Sequence, residues 1–136
     1  MSDWKTFLEE GRQFHRTAKG SVKRPDIFTP VIVQNIAAMA IEKYFMALFL
    51  KRGVMPLNHT ILDLCSSAVT LLKLPPHLLK VLAEMDGVQQ ICSLEHFKIT
   101  PPSSDDVLRF LNALDETAMI VLKELNVCEN ETTHAL

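Results

Sequence analysis

Residues 29–53 read TPVIVQNIAAMAIEKYFMALFLKRG, and Pro56-Leu57-Asn58-His59-Thr60-Ile61-Leu62 follows almost at once. Thr29 is a favourable N-cap, because its hydroxyl can accept from an amide of the first turn. Pro30 stands at the first helical position, where a missing N–H costs nothing. Lys51 and Arg52 suit the negative end of a helix dipole, and Gly53 suits the left-handed stop. These signals bound one helix from Pro30 to Arg52, about 35 Å long and able to serve as the spine of a domain. At about 100° per residue, Gln34, Asn35, Glu42 and Lys43 share one half of its circumference with Ala38, Met39 and Met46. Ile32, Ile36, Ile41, Tyr44, Phe45, Leu48 and Phe49 fill the other half. A helix this apolar has to be covered on most sides, by neighbouring helices alone or by those and a second subunit. Its length would allow a membrane crossing, but each centrally placed charge costs roughly 2.5–3.5 kcal/mol there. Glu42 and Lys43 therefore point to a core helix and no membrane.

Working outward, Trp4, Phe7, Leu8, Gly11, Phe14 and Ala18 recur at helical spacing, so a first helix is expected from about Ser2 to Lys19, capped by Ser2 or Asp3. Gly20 and Pro25 mark a connector from Gly20 to Phe28. A third helix is expected from an Asn58 cap through Ile61, Leu64, Cys65, Ala68 and Leu72, closed by Pro75-Pro76. A fourth follows Leu78, Val81, Leu82, Met85 and Val88, with Gly87 as a point of bending or breakage. After a loop over His96–Pro102, Ser103 or Ser104 caps a fifth helix with Asp105 and Asp106 in its first turn. Val107, Leu111, Leu114, Ala118, Val121 and Leu125 give that helix one apolar stripe, expected to lie antiparallel to the spine. The fold class is all-α, an up-and-down bundle of four or five helices in one domain over residues 1–128, with a frayed tail over 129–136.

A chain of 136 residues with 48% apolar and 22% charged content can bury a core without disulfides or metals. The formal charge of −2 disfavours sequence-blind binding to DNA. The charges are uneven, however. Arg12, Arg16, Lys19, Lys23 and Arg24 follow one another with no carboxylate between Gly11 and Arg24. From Pro101 onward, seven carboxylates face only Arg109 and Lys123. The basic run can guide an anionic partner, and it fits equally a solvated helix face followed by a basic loop. Cys65, Cys92 and Cys128 are odd in number and show no CxxC spacing, which places the chain in a reducing cytoplasm with Cys65 and Cys92 as small buried hydrophobes. The N-terminal segment, with Asp3 and Lys5, lacks the apolar stretch of a secretory signal.

Several chemistries find no residues to carry them. There is no glycine-rich phosphate loop and no GxSxG turn. The single Glu-x-x-His, Glu131 to His134, lies in the tail, whereas a di-iron bundle needs that pair twice on inward faces. The five histidines (15, 59, 77, 96 and 134) fall in five different segments and read as surface or capping residues, so no metal or other cofactor is expected. Trp4, Phe7 and Phe14 read as core. The third helix carries only His59 and Lys73 as basic residues, one at each end, too few for reading DNA.

With Ala40-Ile41-Glu42-Lys43, then Ala47-Leu48-Phe49-Leu50, Gly53, Pro56 and His59, and a closing helix opened by Ser103-Ser104-Asp105-Asp106, the chain resembles the HEPN family of small helical domains. The resemblance runs from about Trp4 to Leu125. It implies an up-and-down bundle, commonly a homodimer, often paired with a small nucleotidyltransferase in systems of the toxin–antitoxin type. Members act as RNases, as toxin or antitoxin partners, or as nucleotide- or RNA-binding modules. RNase members carry, late in the chain, Arg, about four to six residues, then His. Here Arg109 opens the last helix, but Leu114, Asp115 and Glu116 stand where the histidine would fall. Glu95-His96-Phe97-Lys98 stands where the family usually has Arg-Tyr before the last helix.

Three readings follow. The first is a non-catalytic, dimeric module that binds a nucleotide or RNA, or pairs with a nucleotidyltransferase, through Asn35, Glu42 and Lys43 with Arg12 or Arg16. Glu42 and Lys43 fit equally an ion pair that fixes helix register. The second is a metal-independent RNase using Arg52 on the phosphate and His59 as general base, with six residues between them. The third is an adaptor whose partner covers Met39 and Met46.

Overall fold

The computed structural model describes residues 3–56, 60–91 and 102–126. Five helices make up the described chain: α1 (Trp4–Ser21), α2 (Pro30–Arg52), α3 (Ile61–Ala68), α4 (Pro76–Ile91) and α5 (Ser104–Glu124). Each of the expected start signals that falls among the described residues operates. Asp3 accepts from the Thr6 amide, Thr29 from Ile32, and Ser103 forms a reciprocal capping box with Asp106. Gly53 ends α2 at φ 70°, and its amide returns to the carbonyls of Leu50 and Phe49.

Two boundaries differ from expectation. Thr60 caps α3 by accepting from the Asp63 amide, and the helix stops at Ala68. Asn58 and His59 lie outside the described residues. The chain does not stay helical to Leu72, because β-branched Val69 and Thr70 follow and the backbone tightens into turns, with Leu71 and Leu72 donating to the Ala68 carbonyl. Pro76 opens α4 instead of preceding it, as Pro30 opens α2, and the Pro75 carbonyl accepts from Leu78 and Leu79. The helix then continues through Gly87 to Ile91 without a break.

The four long helices alternate in direction along the chain. Lys51 donates to the Leu125 carbonyl, Arg52 pairs with Glu124, and Val33 and Val107 line one cleft at the other end. α5 therefore runs parallel to α2, not antiparallel as its stripe suggested. α1 returns antiparallel along α2, with Gly11 against Lys43 and Tyr44. α4 runs antiparallel to α5, with His77 on Glu116 and Glu84 on Arg109.

The core is built on α2, where Ala37, Ala40, Ile41, Phe45, Ala47, Leu48 and Phe49 have no measurable exposure. Large side chains such as Phe45 and Phe49 contribute roughly 1.5–3 kcal/mol each on full burial. By length and composition α2 could cross a membrane, but 61% of its most apolar window is buried within the bundle. The sequence assigned Gln34 to the polar arc. It is instead buried between α2 and α4, where its Nε2 reaches the Met85 carbonyl at 3.4 Å.

Candidate functional site

The chemistry-bearing residues converge where α1 passes over α2 and α5. His15 occupies the apolar stripe of α1, one turn beyond Gly11. Because Gly11 has no side chain, its turn of α1 lies directly on Lys43 and Tyr44, and a Cβ there would meet the Lys43 Cβ at 3.3 Å. That approach brings the His15 ring edge-on to Tyr44, with ring centres 5.7 Å apart.

The Tyr44 hydroxyl lies 2.8 Å from His15 Nδ1, and His15 Nε2 lies 2.7 Å from Asp115 Oδ1 on α5. Lys19 Nζ takes the other carboxylate oxygen of Asp115 at 2.7 Å. An ionised carboxylate only accepts, so with neutral imidazole Nε2 carries the proton and Tyr44 donates to Nδ1. Burial pushes the Tyr44 phenol well above its usual value, against the opposing charge of Arg12. Burial would also raise the Asp115 carboxyl, but hydrogen bonds from Lys19 and His15 outweigh it and hold the group below its usual range. The phenol is therefore a neutral donor and Asp115 an anion at neutral pH. Tyr44 is 1% exposed, which makes it a support for His15, not a group that meets solvent.

Arg12 lies one turn before His15 and Arg16. It is 8% exposed, and its Nε and Nη2, the two nitrogens along one edge of the guanidinium, are buried without a hydrogen bond. That edge has the geometry that grips two oxygens of a phosphate or carboxylate at once. A buried cation lacking such partners is costly. Arg12, Arg16 and Lys19 lie within about 60° of one another around α1, so they form one basic stripe. Across from it, α5 presents Asp115 between exposed Leu108 and Met119. Near the end of α1 an open cleft of about 220 Å³ is lined by Val22, Pro25, Phe28, Pro30, Val107 and Leu108.

The residues expected to form a binding set are not all brought together. Lys43 pairs with Glu10 at 2.8 Å and lies over Phe7. Glu10 and Arg12 are about 160° apart around α1, which places Lys43 on the flank opposite Arg12. Asn35 is exposed, but it projects about 180° from Tyr44 around α2. Glu42 is half-buried and lies about 160° from Tyr44 on the same helix. Arg12 and Arg16 alone of that set share the network's side, and Arg12 is buried instead of presented to solvent. Arg52 is occupied by the Glu124 carboxylate and carbonyl, and His59 lies outside the described residues. Arg109 is held by Glu84 and Asp106.

His15 is also not the surface or capping residue that the sequence indicated, and Tyr44 is not simply apolar. Two signals could have found them. His15 falls in register with Trp4, Leu8 and Ala18, and Tyr44 is the one tyrosine of the chain, in the middle of its most buried helix. A buried phenol requires a partner. Asp115 carries no such local signal, because its place opposite α1 depends on the packing of α5.

No protein-family model matches the chain, and no curated protein does. Among solved structures it is similar in fold to TT1696 from Thermus thermophilus, with a TM-score of 0.73 at 19% identity. The match covers 91% of this chain and 99% of that protein, so the likeness holds across the bundle and concerns the fold alone.

Proposed function

We propose that the protein is a non-catalytic, HEPN-like module that binds the phosphate of a nucleotide or RNA on the basic stripe of α1. The observation that carries this reading is Arg12, a guanidinium with one bidentate edge unpaired inside the fold. The unliganded chain bears the cost of that edge, and a phosphate that satisfies it recovers the cost on binding. Arg16 and Lys19 add charge on the same flank.

His15 Nε2 carries the ring proton and the basic Nδ1 is taken by the Tyr44 hydroxyl, so neither ring nitrogen is free to act as a general base. This supports binding without turnover. We further propose a homodimer through the outer face of α2, where Val31, Ile32 and Met39 are each about 40% exposed in succession around Asn35.

The binding reading is tested by fluorescence anisotropy with a labelled short single-stranded RNA and, in competition, adenosine monophosphate. Arg16→Glu is expected to weaken binding at least tenfold, and raising the salt concentration to weaken it in the wild type. Equal affinity of wild type and Arg16→Glu would rule out this stripe as the site.

A further inference from the structure

We propose that Asp115 is an internal substitute for the ligand's phosphate, so that binding is an exchange in which the incoming oxyanion displaces the Asp115 carboxylate. This inference rests on the phosphate-binding reading above. Asp115 presents two carboxylate oxygens, and each is held by a different α1 residue. Oδ1 is on His15 Nε2 and Oδ2 on Lys19 Nζ, both at 2.7 Å.

The arrangement matches what a phosphate would ask of the stripe: two oxygens shared between donors projecting from consecutive turns of one helix. Arg12, one turn before His15 on the same stripe, keeps its Nε and Nη2 edge unpaired, two further donors for an anion larger than a carboxylate. Asp115 is also displaceable. Its side chain is 37% exposed and that of Lys19 is 48% exposed, so both partners can return to water without leaving a buried charge. No covalent bond is made or broken in the exchange. Lys19 and His15 change partners, and Arg12 gains one.

A carboxylate that merely ties α1 to α5 would behave differently when removed. If Asp115 only braces the helices, Asp115→Asn loosens the stripe and ligand binding weakens or stays the same. If Asp115 competes with the ligand, the same substitution frees Lys19 and His15. Adenosine monophosphate and a short single-stranded RNA then both bind more tightly, by about tenfold. Glu116→Gln is the matched control. It removes the same charge one residue along α5, from a carboxylate that pairs with His77 on α4. Its effect is expected to stay below about twofold, because only screened, longer-range charge changes.

The experiment is calorimetric titration of wild type, Asp115→Asn and Glu116→Gln with each of the two probes. Tightening confined to Asp115→Asn supports the exchange, and tightening with one probe alone shows whether nucleotide or RNA is the source of the phosphate. Binding by wild type that is unchanged or weakened in Asp115→Asn overturns the exchange while leaving the binding reading intact. No binding by wild type or either variant removes the binding reading itself. Should Asp115→Asn fail to fold, the ring resonances of His15 in the wild-type protein decide. They shift on saturation with adenosine monophosphate if Asp115 leaves Nε2, and unchanged resonances on saturation contradict the exchange.

Discussion

Asp115 sets the acid sensitivity of the α1–α5 contact. Its folded value lies below its unfolded one, so between the two the unfolded chain binds the extra proton. Its stabilising contribution is complete above the ordinary aspartate value near pH 4 and is lost as the pH falls through the depressed folded value. Asp106, lowered first by the Ser103 amide, and Asp3, lowered first by the Thr6 amide, act in the same direction. Urea denaturation at neutral and acidic pH is expected to show a smaller loss on acidification for Asp115→Asn than for wild type. Identical losses would mean that the carboxylate is not held as described. Gly53 gives a second test at this scale. At φ 70° an alanine is strained, and Gly53→Ala is expected to cost about 1 kcal/mol in denaturation experiments. Gly53 could be read from sequence because a glycine after Lys51-Arg52 is a local signal. Asp115 could not, since nothing within a turn of it indicates which helix it will face.

Among the elements, the close approach of α1 to α2 determines whether the site exists. Gly11 lets the two backbones meet, and buried Ala37, Ala40 and Ala47 keep the facing surface of α2 low. Gly11→Leu is expected to destabilise the fold by roughly 1–3 kcal/mol through overpacking. It is also expected to part His15 from Tyr44, read as faster solvent exchange of the Tyr44 hydroxyl proton than in wild type. A variant of unchanged stability and protection would show that α1 docks differently. The helices were legible where periodicity and caps coincide, as at Thr29-Pro30 and Ser103. They were less so where one residue type has two uses. Pro75-Pro76 could end one helix or begin another, and Gly87 could break α4 or be carried inside it, as it is. The direction of α5 relative to α2 was not legible, because an apolar stripe fits a neighbour of either polarity.

For the whole molecule, the sequence conveyed an all-α bundle around α2 but placed the polar residues of α2 and the cations of α1 in one site, which the crossing of the helices separates. Lys43 faces Glu10, and Arg12 faces the other way. The outer face of α2 remains apolar at Val31, Ile32 and Met39. Sedimentation at micromolar concentration is expected to give a dimer that Met39→Glu converts to monomer, and a monomeric wild type would contradict that assembly.

Arg12 most directly tests the central claim, because a cation kept buried for a ligand should stabilise nothing in its absence. Arg12→Met is to be melted thermally and titrated calorimetrically with adenosine monophosphate and short RNA, beside wild type. The expected result is a fold more stable by about 1 kcal/mol or more, with binding abolished. An Arg12→Met protein that binds both probes as wild type does, or one that is less stable and has lost nothing else, would contradict the account.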